Sequence, residues 1–293
     1  MTARVDGVSR LLRPTKSFIA INLLLSMLQT TGRVNQGEEG NMLKRYFEIN
    51  EKGHNIRCKL YARELHDIHR VVIFCHGFGG HKDNAAAERF AERMLSKQKG
   101  AAMITFNWPC HGDDVKKKLC LADCYAYLEL VLSYARRQYQ TEELYAYATS
   151  FGGYLTLKYI AEHGNPFRKI ALRCPAVNMY DLLTKVIMTE EELAKLRKGK
   201  EIPVGFDRKI MIGSSFLEEL RNNDIQRWDF LDHAEDILIL HGTADEIVPF
   251  DAVRAFAENN LIEFLPIDGA DHRFRDPMKM DQAIKDILSF YAG

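Results

Sequence analysis

The stretch Leu144-Tyr-Ala-Tyr-Ala-Thr-Ser150-Phe-Gly-Gly153 constrains this chain more than any other. Leu144 to Ala148 is a short apolar run, the pattern of a strand buried on both faces. From Phe151 to Ala161, the apolar residues Leu155, Leu157, Ile160 and Ala161 fall at helical spacing. A strand and a helix joined by one serine among small residues predict a sharp turn that holds the hydroxyl out at the strand's carboxyl end. Small residues are needed because strand and helix nearly touch there. The helix N-terminus also favours negative charge developing beside Ser150. The usual pattern for such a turn is Gly-x-Ser-x-Gly; here it reads Ala148-Thr149-Ser150-Phe151-Gly152, with alanine in the first glycine's place.

Around this turn the chain alternates strands and helices. Lys44–Asn50 and Ile56–Ala62 read as a hairpin around Glu51-Lys-Gly-His-Asn55. Val71–Cys75 is a buried strand running into His76-Gly-Phe78-Gly-Gly80. A helix follows over about 84–97, with Ala87, Phe90, Ala91, Met94 and Leu95 at helical spacing. Ala101–Phe106 is a strand, Leu119–Arg137 a helix, and Lys169–Cys174 the strand after the serine's helix. This rhythm predicts an α/β fold, a mostly parallel sheet covered on both faces by helices. It breaks at Pro175. About sixty residues with scattered apolar positions and a Thr189-x-x-Glu192 capping box separate it from the next strand, Ile237–Leu240. We expect an inserted cap over about 176–233; plain surface helices are the alternative. A helix near Ala252–Glu258, a strand near Ile262–Pro266 and a helix Met278–Tyr291 complete the chain.

Residues 1–41 differ from the rest. Arg4, Arg10, Arg13 and Lys16 precede an apolar run, Phe18–Leu28, too short to span a bilayer. It loosely resembles a signal peptide, but no small-x-small cleavage site follows. Gly37-Glu-Glu-Gly-Asn41 can be encoded by a ribosome-binding-like sequence just before Met42. Our hypothesis is that translation starts at Met42 and that 1–41 is a non-native extension to a domain of 42–293. An intact mass that includes 1–41, from the native upstream DNA, would sink it.

With 46 % hydrophobic residues the chain can bury a full core, and a net charge of +0 implies no bulk attraction to nucleic acid or anionic membranes. Cys58, Cys75, Cys110, Cys120, Cys124 and Cys174 are scattered, two of them inside apolar strands. That suits reduced thiols in a cytoplasmic protein, secreted or anchored only if 1–41 is a real signal segment. Cys110, His111, Cys120 and Cys124 could be read as metal ligands, but no Cys-x-x-Cys pair supports a site, so no metal is expected.

The chemistry converges on the sheet's carboxyl edge, where ligands of such sheets bind. His76-Gly-Phe-Gly-Gly80 lets backbone approach a ligand. Ser150 is a nucleophile candidate. His241-Gly-Thr-Ala-Asp245-Glu-Ile-Val-Pro249 adds a carboxylate, and Gly269-Ala-Asp271-His272 an imidazole. A serine hydroxyl needs an imidazole to take its proton and a carboxylate to hold that imidazole's tautomer.

These four motifs, in this order and each after a predicted strand, resemble the α/β-hydrolase superfamily over nearly everything from Met42 onward. Within it the chain is most similar to small bacterial cinnamoyl (feruloyl) esterases and to serine aminopeptidase and monoacylglycerol-lipase-like groups. These share an insertion after the sixth core strand. The resemblance implies Ser150 as nucleophile, His272 as general base, Asp245 as its orienting carboxylate, and the Phe78 and Phe151 amides as an oxyanion hole. Asp271 adjoins His272, but neighbouring side chains point apart. His76 and His111 are expected to make structural hydrogen bonds, Glu246 to be a solvated loop charge, and Ser214 and Ser215 to be polar cap-loop residues. The Asn107-Trp-Pro-Cys-His111-Gly112 loop departs from the usual Asp-x-x-Gly-His-Gly, which predicts altered packing.

The expected function is hydrolysis of a small carboxylic ester through an acyl-enzyme, with no cofactor, no nucleic acid and no stable membrane partner. The alternatives are a peptidase, thioesterase or monoacylglycerol lipase on the same residues, or a binding protein without turnover. Self-association through a sheet edge or the cap is left open, and no residue is singled out as substrate-binding.

Overall fold

The computed structural model describes residues 42–205 and 208–293, with the backbone of Val34–Asn35. The remainder of 1–41, and with it the expectation about where the native chain starts, lies outside the described residues.

Eleven strands are described: β1 (Val34–Asn35), β2 (Leu43–Glu51), β3 (His54–Ala62), β4 (Arg70–Cys75), β5 (Ala101–Phe106), β6 (Leu144–Thr149), β7 (Lys169–Arg173), β8 (Ile202–Val204), β9 (Ile210–Ile212), β10 (Ile237–Gly242) and β11 (Glu263–Ile267). Nine form one sheet in the order β1-β2-β3-β5-β4-β6-β7-β10-β11. Pairings from β5 across to β11 are parallel; β1, β2 and β3 add antiparallel strands at one edge. The predicted five-residue turn between β2 and β3 is tighter. Glu51 pairs with His54, and Lys52 and Gly53 alone turn the chain, both at positive φ, as a two-residue hairpin requires.

The helices are α1 (Ala85–Lys97), α2 (Leu121–Tyr139), α3 (Phe151–His163), α4 (Met179–Asp181, continuing as a π-helical turn Leu182–Ile187), α5 (Glu190–Arg197), α6 (Ser214–Asn222), α7 (Phe250–Asn259) and α8 (Pro277–Phe290). Asn84 caps α1 by accepting from the Ala87 amide, and the Thr189–Glu192 capping box starts α5.

The alternation of β4 shows why both faces are covered. Val71, Ile73 and Cys75 join the larger core with α2, α3 and α7, whereas Val72 and Phe74 join a second core with α1 and α8. A central strand sandwiched this way has no polar face, so its sequence is a continuous apolar run. Tyr147 sits in the second core between Phe74 and Phe90.

Between β7 and β10 lie α4, α5, the β8–β9 hairpin, α6 and two short 3-10 turns. Ser214 and Ser215 open α6 rather than lying in a loop. Among the described residues, no helix is long and apolar enough to cross a membrane.

Candidate active site

Ser150 ends β6 and begins α3. Its φ of 51° and ψ of −117° lie outside the regions that residues with a Cβ ordinarily occupy. Backbone on both sides holds it there. The Ser150 amide donates to the Arg173 carbonyl at 3.1 Å, and its carbonyl accepts from Tyr154 and Ala176. The small residues have distinct reasons. A Cβ on Gly152 would lie 2.1 Å from the Cys75 carbonyl oxygen, and one on Gly153 would lie 2.8 Å from Pro175 Cβ. Gly152 is therefore where helix and strand meet. Ala148 sits inside β6, paired with Cys75 and Leu172, where its methyl is buried in the core. The departure from the glycine pattern thus falls where a methyl is accommodated.

β4 and β6 are neighbours, so the loop after β4 lies against the serine turn. A Cβ on Gly77 would be 3.2 Å from Ser150 Cβ. The Phe78 ring packs edge-on against the Phe151 ring, 5.6 Å between centroids. Phe151 is the first residue of α3, so its N–H has no intrahelical acceptor. Beneath this loop, His76 accepts from the Trp108 amide at Nε2 (3.2 Å), which places its proton on Nδ1, donating to the Gly77 carbonyl at 2.8 Å. Burial, with His111 adding to it, holds the His76 pKa well below the ordinary value. His111 donates from Nδ1 to the Pro109 carbonyl, and burial lowers its pKa to about 4. Both rings are neutral supports for the loop, as expected from the sequence. The altered Asn107–Gly112 loop is packed through Asn107, whose side chain accepts from the Lys82 amide and donates to Asp113.

Asp245 and His272 meet at the ends of β10 and β11. His272 Nδ1 lies 2.8 Å from Asp245 Oδ2. The Asp245 side chain is fully buried, and its other oxygen accepts from the amides of Ile247 (2.9 Å) and Val248 (2.8 Å). His241 Nε2 adds a contact at 3.2 Å. Burial alone would raise the pKa of this carboxyl. Hydrogen bonds from His241, His272 and the Ile247 amide outweigh it and hold the group well below the usual carboxylate range. Asp271 turns away and takes Arg275 as its partner. Glu246 is not simply solvated: its carboxylate accepts from the His272 amide at 3.1 Å and so fastens the histidine's backbone. The sequence carries no periodic signal for that contact.

Ser150 and His272 both line a cavity of about 350 Å³. Its floor is the Gly77–His81 loop, and its walls include Met179, Leu182 and Ile187 from α4 and its π-helical turn. Arg173, the last residue of β7, also lines it; the sequence singles it out only as part of the strand expected over Lys169–Cys174. Cys174 Sγ lies with Asp245 and His272 in a group whose ligand atoms are within 4.8 Å of one another. Those two already satisfy each other, and burial pushes the Cys174 thiol up, so the set does not fit a metal ion.

A family model described as the alpha/beta hydrolase fold matches residues 70–201. No curated protein matched the chain. Among solved structures it is similar to Est1E of Butyrivibrio proteoclasticus with ferulic acid bound: TM-score 0.70, 17 % identity, 84 % of this chain and 100 % of that one. It is similar to a soluble variant of monoglyceride lipase from Saccharomyces cerevisiae with a substrate analogue: TM-score 0.64, 14 % identity, 83 % and 93 % of the two chains. Alpha/beta hydrolase domain-containing protein 10 from mouse aligns with TM-score 0.62 and 16 % identity, over 84 % of this chain and 98 % of that one. Residues 70–201 thus match the alpha/beta hydrolase family, and the chain as a whole shares the fold of these structures. The match over residues 70–201 supports a hydrolase.

Proposed function

We propose that this protein is a serine hydrolase that cleaves carboxylic esters through an acyl-enzyme. The observation that carries the reading is the His272–Asp245 pair, 2.8 Å apart, whose histidine lines the same cavity as Ser150. With His272 donating from Nδ1 to an ionised carboxylate, Nε2 carries the lone pair that can take the serine proton. Ser150 attacks the ester carbonyl, and the oxyanion is received by the Phe78 amide in the loop after β4 and the Phe151 amide at the start of α3. His272 passes its proton to the leaving alcohol, then draws one from water as the acyl-enzyme is released. Residues 176–233 act as a cap that shapes the acyl pocket, and the protein works in the cytoplasm on a small ester.

The test is a panel of p-nitrophenyl esters of rising chain length, methyl ferulate, a monoacylglycerol and an aminoacyl anilide, with wild type and Ser150→Ala. Ester turnover that falls at least about 10³-fold in the variant supports the reading. A fluorophosphonate that labels wild type equally well with and without His272→Ala would rule out the base assignment. Cleavage of the anilide alone would move the protein to the peptidases.

A further inference from the structure

Arg173 is a buried charged group in this site that the ester chemistry leaves without a task. It is 6 % exposed, yet it lines the cavity that Ser150 opens on. Its Nε is buried with no hydrogen-bond partner. Its guanidinium hydrogen bond runs from Nη1 to the sulfur of Met280 at 3.2 Å, and a thioether is a weak acceptor. The guanidinium lies between two rings, 5.9 Å from the centre of Tyr147 and 5.2 Å from that of Phe274. Among the described residues no carboxylate pairs with it. Asp245 is already committed to His272, His241 and two backbone amides.

A guanidinium cannot shed its charge by deprotonating, so an unpaired buried one is stable only when something offsets the lost hydration. The rings offset part of it. An oxygen anion would supply the strong acceptor that a thioether and two rings do not. The cavity wall agrees: its described residues include a further arginine, Arg208, and no aspartate or glutamate. The chain's net charge is +0, so this cationic lining is local to the site.

We propose that Arg173 is an anion-binding residue of this site, and that the substrate is an ester carrying a carboxylate a few bonds from its scissile carbonyl. The distance follows from the sheet. Arg173 pairs with Thr149 on the neighbouring strand, and its carbonyl accepts the Ser150 amide, so the two side chains open on the cavity from adjacent strand ends. Guanidinium and carboxylate form two parallel N–H···O bonds, which fixes the substrate's register as well as its charge. This inference rests on the esterase reading and narrows it to hemiesters of small diacids or esters of small hydroxy acids.

The experiment compares two matched pairs. One is p-nitrophenyl hemiglutarate against p-nitrophenyl pentanoate, with the anion on the acyl side. The other is 4-carboxyphenyl acetate against phenyl acetate, with the anion on the alcohol side. The readout is the anionic-to-neutral ratio of kcat/KM in wild type divided by the same ratio in Arg173→Gln, so general losses of activity or folded protein cancel. We expect this double ratio to be about 10–100 in one pair, the size of a charge-assisted hydrogen bond. Arg173→Lys should recover part of it. In parallel, glutarate is titrated into Ser150→Ala and into Ser150→Ala with Arg173→Gln, and binding should weaken at least tenfold in the second. A double ratio near one in both pairs, or glutarate binding indifferent to Arg173, overturns the proposal. If Ser150→Ala leaves ester turnover intact, the esterase reading fails instead, and the glutarate titration alone decides the arginine's role.

Discussion

His272 Nδ1 and Asp245 Oδ2 stand 2.8 Å apart although 27 residues separate them, and the carboxylate's side chain is completely withdrawn from water. Two parallel strands deliver them: β10 ends at Gly242 and β11 at Ile267, in register with each other. The loops that follow therefore leave the sheet side by side. The Ala244 amide donates to the Ala270 carbonyl, tying one loop to the other.

Asp245→Asn should keep the fold and lower kcat by about 10³–10⁴-fold, because an amide can hold the wrong imidazole tautomer. The substitution should also change acid stability. The Asp245 carboxyl is held below its ordinary value of 3.8, so its ionisation stabilises the fold above that value and the contribution is lost as pH falls below it. Denaturant unfolding from pH 6 to pH 2.5 should show the wild-type advantage over Asp245→Asn shrinking as pH drops. A constant difference would contradict the burial-plus-hydrogen-bond account.

His111 predicts a dependence in a higher window. Its pKa falls from 6.5 to about 4 on burial, with no partner for Nε2. Below about pH 6.5 the unfolded chain gains a proton here that the folded chain refuses until about pH 4. Wild type should lose roughly 3 kcal/mol through this residue across that window. In His111→Gln that component should vanish, measured as the change in unfolding free energy between pH 7 and pH 4.5.

Gly152→Ala should cost about 1–3 kcal/mol and most of the activity, since the added methyl would meet the Cys75 carbonyl at 2.1 Å. Ala148→Gly, which restores the usual glycine, should give no gain in activity and should cost up to about 1 kcal/mol of strand stability. Melting curves and ester turnover of the two variants check the pair together.

Ser150 offers a test of strain. Alanine inherits its φ of 51° and ψ of −117°, whereas glycine relaxes there. Both substitutions should abolish nucleophilic labelling. Ser150→Gly should nevertheless melt above Ser150→Ala, by the excess of relieved strain over the extra freedom glycine has when unfolded. Equal melting points would mean that the turn stores no strain.

Some of this protein follows from local chemistry alone. β5 and β6 run Ala101–Phe106 and Leu144–Thr149, as read from their apolar runs, because a strand buried on both faces reads as a near-continuous apolar run, here with Thr105 and the terminal Thr149 as its buried polar members. The capping box at Thr189 is equally local, a contact across three residues. The β8–β9 hairpin was not legible: its strands are three residues each and one contains Pro203, too short for periodicity to register. Nor was the π-helical turn after α4, whose residues line the cavity.

At the site, sequence order named Ser150, Asp245 and His272 through the motifs around them, but it could not say what surrounds each. That Glu246 holds the His272 amide, and that Arg173 reaches the serine's cavity beside the Met280 sulfur and two rings, depends on which strands lie side by side. The motifs are short and local, and backbone geometry dictates them. The electrostatic setting of the cavity is a sum over groups far apart in the chain, and only the folded sheet brings them within reach of one another.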